Sequence, residues 1–242
     1  MNSPSPGWVA LVATPIGNLE DITLRALRTL EEADTIAAED TRRARRLLAH
    51  HQIKTRVTPY HAFNEHRKTE QLLERVAGGE RIAVLTDAGT PTLSDPGFLL
   101  VRTARQIGIE PVIIPGVSAL TFAVTAAGMP VDQFMFAGFP PRKAGRRRNF
   151  LRQLPVAELT CFLYESPHRI PRLLDEIAAM IGPTTPVTLI REATKLHEQI
   201  IRGSAAELAE QFAGQQCKGE FTVVIGRHQP ETDAANENHV ET

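Results

Sequence analysis

Arg81-Ile-Ala-Val-Leu-Thr86 runs directly into Asp87-Ala-Gly-Thr-Pro-Thr-Leu-Ser-Asp-Pro-Gly97, and Phe98-Leu-Leu-Val101 follows. The first segment is short and apolar, the pattern of a buried strand. The last opens a helix-like stretch. The loop between them therefore leaves the C-terminal end of a strand, where open α/β sheets bind their ligands. Its glycines permit close backbone approach, and its prolines stiffen it before anything binds. It is a ligand loop, and it is not one of the common phosphate-binding kinds.

Outward from this loop, strands and helices alternate. Trp8-Val-Ala-Leu-Val-Ala13 reads as the first strand and Thr35-Ile-Ala-Ala38 as a second. Asp21 is the expected cap of a helix in which Leu24, Leu27 and Leu30 recur at helical spacing. Asn64 is the expected cap of a helix carrying Leu72, Leu73 and Val76 and ended by Gly78-Gly79. Gly108 stops the helix after Gly97, and Pro111-Val-Ile-Ile114 is the next strand. Such alternation predicts parallel βαβ units. Beyond Pro115-Gly116 come strands at Phe134–Ala137, Leu159–Tyr164, Pro186–Ile190, Gln199–Arg202 and Phe221–Ile225, the fourth antiparallel to its predecessor. Ser166-Pro167 reads as a helix start, and Ser204-Ala-Ala-Glu207 as a capping box. The expected organisation is an N-terminal α/β domain over 1–117, a C-terminal α/β domain over 118–228 and a polar, disordered tail over 229–242.

Composition narrows the class. Hydrophobic residues make up 42% and charged residues 23% of 242 positions, which is ordinary for a globular chain. The net charge of −1 gives no global attraction to polyanions, so any such attraction is local. Cys161 and Cys217 stand far apart, without metal-ligand or disulfide spacing, and Cys161 lies in an apolar run. No signal-peptide pattern opens the chain, and no apolar run approaches the ~20 residues of a membrane span. A cytoplasmic location without membrane association is expected, and no metal.

Six unusual segments fall at predicted strand C-termini: Thr14-Pro-Ile-Gly-Asn18, Glu39-Asp-Thr-Arg42, the Asp87–Gly97 loop, Pro115-Gly-Val-Ser-Ala119, Tyr164-Glu-Ser-Pro-His-Arg169 and Arg191-Glu-Ala-Thr-Lys195. Neither a Gly-x-Gly-x-x-Gly fingerprint nor a Gly-x-x-x-x-Gly-Lys-Ser/Thr loop occurs, which disfavours ordinary dinucleotide and P-loop sites. Gly116-Val-Ser118 begins like a nucleophile elbow, but Leu120 stands where the second glycine belongs, which disfavours a serine hydrolase. The residues alone point to a small polar cofactor held largely by backbone groups.

Together with Lys218-Gly-Glu220, these motifs resemble the ribosomal RNA small subunit methyltransferase I family of the tetrapyrrole methylase superfamily, in order over about residues 8–226. The resemblance implies two α/β domains of the tetrapyrrole methylase type with the cofactor cleft between them. It implies S-adenosyl-L-methionine (SAM) as cofactor, methylation of a cytidine ribose 2′-hydroxyl in small-subunit (16S) rRNA, and a homodimer. Carried over by position, it places Pro15, Ile16, Gly17, Gly89, Thr90, Leu93, Ser118, Ala119, Tyr164, Ala193 and Thr222 beside the cofactor. Thr90 stands where tetrapyrrole enzymes carry an acid. Many members continue into a small helical segment after the last strand, whereas here a short polar tail follows. Asp87 and Asp95 read as residues that shape the loop.

Two segments are basic without an intervening acid. Arg42, Arg43, Arg45, Arg46, Lys54 and Arg56 form one, beside His50 and His51. Arg142, Lys143, Arg146, Arg147, Arg148 and Arg152 form the other. With the resemblance, Arg42, Arg43, Arg45, Arg46, Arg142, Lys143, Arg146, Arg147 and Arg148 are expected on RNA, where binding would be strongly salt-dependent. A ribose hydroxyl needs a base, or a cation that stabilises the forming alkoxide. Asp40, Glu165 and Lys195 are the expected catalytic groups, and His61, Asn64 or Glu65 the expected nucleotide contacts. Alternatives are a tetrapyrrole or protein side-chain methyltransferase of the same fold, or a non-catalytic RNA-binding factor.

Overall fold

The computed structural model describes residues 7–93 and 97–227. Expectations for Ser94, Asp95 and Pro96 and for the tail from 229 lie outside the described residues. The chain divides into two compact units, the first ending at Ala119 and the second beginning at Leu120.

The first unit runs β1 (Trp8–Val12), α1 (Leu24–Glu32), β2 (Thr35–Ala38), α2 (Thr41–His50), β3 (Arg56–Pro59), α3 (Glu65–Ala77), β4 (Arg81–Leu85), α4 (Phe98–Gln106) and β5 (Val112–Ile114). Its sheet has the order β3-β2-β4-β1-β5, and every described pair is parallel. β1 shows why the sheet is covered on both faces. Ala10 and Val12 join one core with Ala26, Leu30, Ala44 and Leu48, whereas Val9 and Leu11 join another with Leu72, Leu73, Val76 and Leu100. Residues alternating along a strand point to opposite faces, so an apolar run supplies both cores.

The register aligns the strand ends. Pro59, Ala38, Leu85, Val12 and Ile114 form one row across the sheet. The connection from β1 crosses toward β2 and that from β4 crosses toward β5, in opposite directions. The edge between β1 and β4 is therefore a topological switch point, where a crevice opens.

The second unit includes most of α5 (Ala119–Ala126), then β6 (Phe134–Gly138), α6 (Ala144–Arg152), β7 (Thr160–Glu165), α7 (Ile170–Met180), β8 (Pro186–Arg191), β9 (Gln199–Ser204), α8 (Ala205–Phe212) and β10 (Phe221–Ile225). The sheet order is β6-β7-β10-β8-β9. Only β6 and β7 pair in parallel; β10 is antiparallel to both neighbours, and β9 to β8. The parallel reading thus fails for most of this sheet. The reversal has a positional consequence. The C-terminal ends Glu165 and Arg191 share a row with the N-terminal residues Phe221 and Gln199. Lys218-Gly-Glu220 therefore reaches the same edge as the loops after β7 and β8.

Helix starts also differ from expectation. A 3-10 turn over Leu19–Asp21 comes first, so Thr23 caps α1, accepting from the Ala26 N–H at 3.0 Å, and Asp21 does not. Asn64 occupies the N-cap position of α3 without a side-chain cap bond; its Oδ1 accepts from the His61 N–H at 2.9 Å. Ser166 likewise makes no cap bond, and a 3-10 turn over Pro167–Arg169 precedes α7. The capping box at Ser204 and Glu207 is present. Among the described residues no helix is long and apolar enough to cross a membrane.

Candidate functional site

In the first unit, three loops lock together at the switch point. Thr14 and Gly89 exchange backbone hydrogen bonds of 2.9 and 3.0 Å, and the Thr14 hydroxyl donates to the Thr86 carbonyl at 3.3 Å. The Thr90 hydroxyl donates to the Val117 carbonyl at 3.4 Å. Gly89 has φ of +83°, and a Cβ there would come within 3.3 Å of Ile16 Cγ2 and 3.7 Å of the Val117 carbonyl oxygen. The converging surface is bare backbone and small side chains, with Pro15, Ile16 and Ser118 buried and Thr90, Leu93 and Ala119 half-buried. Such a surface fits a polar cofactor gripped by peptide groups. Gly17 is exposed beside it.

Asp87 has a structural task here. Its carboxylate accepts from the Asp40 backbone N–H at 2.8 Å and lies 3.7 Å from Arg43. This bond ties the end of β4 to the start of α2. Asp40 itself caps α2, accepting from the Arg42 N–H at 2.8 Å and pairing with its guanidinium at 2.9 Å. Those bonds, the Arg42 side chain first, hold the Asp40 pKa at about 2. A carboxylate so stabilised is a weak base, and its expected catalytic role is corrected to that of a cap. Sequence reasoning passed over its neighbour Glu39. Burial, reinforced by the Asp87 charge, raises the Glu39 pKa, and its buried Oε2 has no hydrogen-bond partner. Glu65 is also committed. Its Oε1 accepts from the Gly97 N–H at 3.0 Å and from the Tyr60 hydroxyl at 3.2 Å, anchoring the far end of the ligand loop.

In the second unit, Tyr164, Thr222 and Ile190 occupy one row of the sheet, one residue inside the edge. Glu165 stands at the edge. Its side chain is fully buried, accepts from the Ser166 N–H at 2.6 Å and pairs with Arg169 at 2.5 Å. Burial outweighs these partners and raises its pKa, and its Oε2 is without a hydrogen-bond partner. Lys195 is ion-paired to Glu192 and to Glu220, each at 2.8 Å. Burial opposes its charge, but the two carboxylates prevail and raise its pKa. Glu192 also accepts from the Glu220 N–H at 2.9 Å. A Cβ on Gly219 would lie 2.6 Å from Glu192 Cγ, which explains the glycine of Lys218-Gly-Glu220. Glu192 and Thr194 have φ of +53° and +64°, around the expected cofactor residue Ala193. Left-handed non-glycine residues are strained and tend to cluster at functional loops.

The basic segments separate on inspection. Arg42, Arg43, Arg45 and Arg46 are exposed along α2, whose inward face is Ala44, Leu47 and Leu48. Arg142, Lys143, Arg146 and Arg148 are exposed, but Arg147 is only 2% accessible. Its guanidinium grips Glu176 of α7 with two nitrogens, at 2.5 and 2.9 Å, and donates to the Pro141 and Arg142 carbonyls. It cannot reach a phosphate, and its expected RNA contact is corrected. The helical spacing of Arg147 and Leu151, both buried on α6, was the available signal. Among the described residues no group of His, Cys, Asp or Glu could hold a metal ion.

The profile of the Tetrapyrrole (Corrin/Porphyrin) Methylases matches residues 9–209. A protein of Halalkalibacterium halodurans named Ribosomal RNA small subunit methyltransferase I is 42% identical over 90% of this chain and 75% of its own length. The chain belongs to this family of tetrapyrrole-type methylases. A Thermotoga maritima member with the same name is 42% identical over 90% of this chain and 98% of its own length. The fold is that of uroporphyrin-III C-methyltransferase from Thermus thermophilus, solved with S-adenyl homocysteine. The TM-score is 0.60 at 21% identity, covering 90% of this chain and 97% of that one. In the methyltransferase I family the strand-end motifs thus acquire a common setting: each belongs to one of two sheet edges.

Proposed function

We propose that the chain is a SAM-dependent methyltransferase acting on small-subunit rRNA, at the ribose 2′-hydroxyl of a cytidine. The observation that carries the reading is the locked backbone cradle of Thr14, Gly89 and Val117 at the switch point of a methyltransferase I family member. Relatives named for rRNA methylation supply the substrate class. The exposed arginines of α2 and the cations beside α6 supply the affinity for phosphate. The wider reading is a cytoplasmic homodimer. In its support, edge strands β5 and β6 carry exposed Val112, Ile113, Phe134 and Met135, faces a second copy could cover.

In this reading Pro15–Gly17, Gly89, Thr90, Leu93, Ser118 and Ala119 hold the cofactor from the first unit. Tyr164, Ala193 and Thr222 hold it from the second. SAM, when bound, supplies a methyl group on a sulfonium and leaves as the neutral thioether. The chain's own task is to position the ribose oxygen in line and take its proton as the new C–O bond forms. Glu165 fits that task best, since burial raises its pKa and one carboxylate oxygen is uncommitted. Lys195, held by Glu192 and Glu220, presents its ammonium at the same sheet edge toward the developing negative charge.

The decisive experiment incubates the full chain with labelled SAM and small subunits lacking this methylation, then maps the labelled nucleotide. Label on a cytidine 2′-oxygen is expected, and absence of label from RNA overturns the reading. Glu165→Gln tests the base. It should lower kcat by roughly a hundredfold or more. Wild-type kcat should fall as pH drops through a carboxylate pKa above the ordinary 4.5, and the variant should lose that limb. If Glu39→Gln removes the limb and Glu165→Gln does not, the base belongs to the first unit.

A further inference from the structure

The loop between β6 and α6 reads Phe139-Pro-Pro-Arg-Lys143. Single exposed apolar side chains are ordinary on protein surfaces. Phe139, 56% accessible, differs in how firmly it is held. β6 ends in a register shift between Phe136 and Gly138, which turns the chain out of the sheet. Buried guanidiniums then clamp the next three carbonyls. Arg169 donates to Pro140 at 3.3 Å, and Arg147 donates to Pro141 at 3.3 Å and to Arg142 at 2.9 Å. Each clamp is itself fixed, Arg169 by Glu165 and Arg147 by Glu176. Two prolines remove further freedom. The Phe139 ring lies 5.6 Å from Tyr164 at 62°, and Phe136 lies 4.8 Å from the same tyrosine. The ring is thus braced at an edge, with more than half of its residue surface open. Exposed Arg142, Lys143 and Arg146 follow immediately.

A rigid, open aromatic ring beside clustered cations is the composition of a single-strand nucleic-acid site. The cations track phosphates, and the ring stacks a base of any identity. A ring fixed in advance loses little entropy when it is covered. We propose that Phe139 is a stacking platform for an unpaired nucleobase of the RNA substrate, next to the nucleotide to be methylated. The proposal deepens the RNA-methylating reading and rests on it. Tyr164, a cofactor contact in that reading, is one ring away, so a stacked base would hold its neighbour's ribose close to the transferred methyl.

The test uses the full chain and short single-stranded RNAs carrying 2-aminopurine at successive positions, with binding and fluorescence quenching measured together. Wild type should quench one position strongly. Phe139→Ala should weaken RNA binding on the order of tenfold or more and abolish that quenching. Phe139→Trp should restore both, and Phe139→Leu, apolar but without a π face, should not. SAM affinity by calorimetry should be unchanged in all three. The platform is overturned by a wild type that quenches nowhere, by Phe139→Leu binding RNA like wild type, or by a loss confined to SAM affinity. The parent reading fails separately. If wild type quenches but transfers no methyl to RNA, the methylation assignment falls and the platform stands. If methyl transfer proceeds and Phe139→Ala keeps its KM for RNA within about twofold, the platform falls and the assignment stands.

Discussion

Two arginine-rich segments of similar composition do different work. Along α2, Arg42, Arg43, Arg45 and Arg46 are exposed, and their carboxylate partners Asp40 and Asp87 lie at the surface or half-buried. Along α6, Arg147 is buried and holds together a helix pair and a loop, while Arg142, Lys143, Arg146 and Arg148 stay outside. Exposed ion pairs contribute little to stability because water screens them. A buried pair costs desolvation on both sides, and losing one partner strands the other. The lesson is that a charge run is not one object. One of its members can belong to the core.

The sharpest way to break the contrast is Arg147→Met. It should cost about 3 kcal/mol or more in denaturant unfolding, because Glu176 is left buried without its fork-like partner. Arg46→Ala should cost almost nothing. The double variant Arg147→Met/Glu176→Leu should recover most of the stability, since no unpaired charge remains. It should not recover RNA binding, because the Pro141 and Arg142 carbonyls still lack their donor. A double variant as unstable as the single would mean that Arg147 acts through the loop and not through Glu176.

The exposed charges give the next largest effect, in affinity and not in stability. Replacing Arg42, Arg43, Arg45 and Arg46 with Ala should flatten the salt dependence of RNA binding by roughly 0.7 in log–log slope for each one that meets a phosphate. The triple change at Arg142, Lys143 and Arg146 should do the same at its own site. If only one set moves the slope, the other is a solvated surface, and the comparison between the two helices reduces to position.

Much of this arrangement was legible before any coordinates. Gly- and Pro-rich segments after apolar runs marked the strand ends, and the register gathers those ends into one row in each unit. What escaped has physical reasons. β3 is a half-exposed edge strand containing Pro59, so it lacks the apolar run that betrays a buried strand. α2 hides its Ala44, Leu47 and Leu48 stripe among four arginines. Glu39 and Asp40 are adjacent acids of similar chemistry. Which one caps the helix is decided by Asp87, 47 residues away, whose carboxylate accepts from the Asp40 N–H. Whether an arginine meets a phosphate or a glutamate depends on a partner 29 residues on, as Arg147 and Glu176 show.

Acid titration separates the two segments again, with a smaller effect. Burial opposes the charge of Glu176, but the Arg147 hydrogen bond and charge prevail, with Arg172 assisting, and lower its pKa from the ordinary 4.5. A carboxylate with a lowered folded pKa contributes stability fully above 4.5 and loses it as pH falls through the folded value. The acid limb of the stability curve should therefore flatten in the Arg147→Met/Glu176→Leu variant. Asp40→Asn should leave that limb almost unchanged in 0.5 M salt, on the order of a 5 Å Debye length, because its pair with Arg42 lies in water. An Asp40→Asn curve flattened in high salt as much as the double variant's would end the distinction between buried and exposed pairs.

The smallest effect asks whether α6 is held by its own backbone or by Arg147. Gly145 sits in the first turn of this nine-residue helix, and a Cβ there would meet no atom within 4 Å. Glycine loses more backbone freedom on folding than alanine, so Gly145→Ala should stabilise the chain by about 0.5 kcal/mol. In the Arg147→Met background the same change should give a similar gain if helix propensity and the buried pair act independently. A larger gain there, read as a shift of the denaturation midpoint at constant slope, would mean that the pair compensates for a helix that forms poorly by itself. α2 offers the control, since its ten residues contain no glycine and no buried charge, and its inward face is wholly apolar.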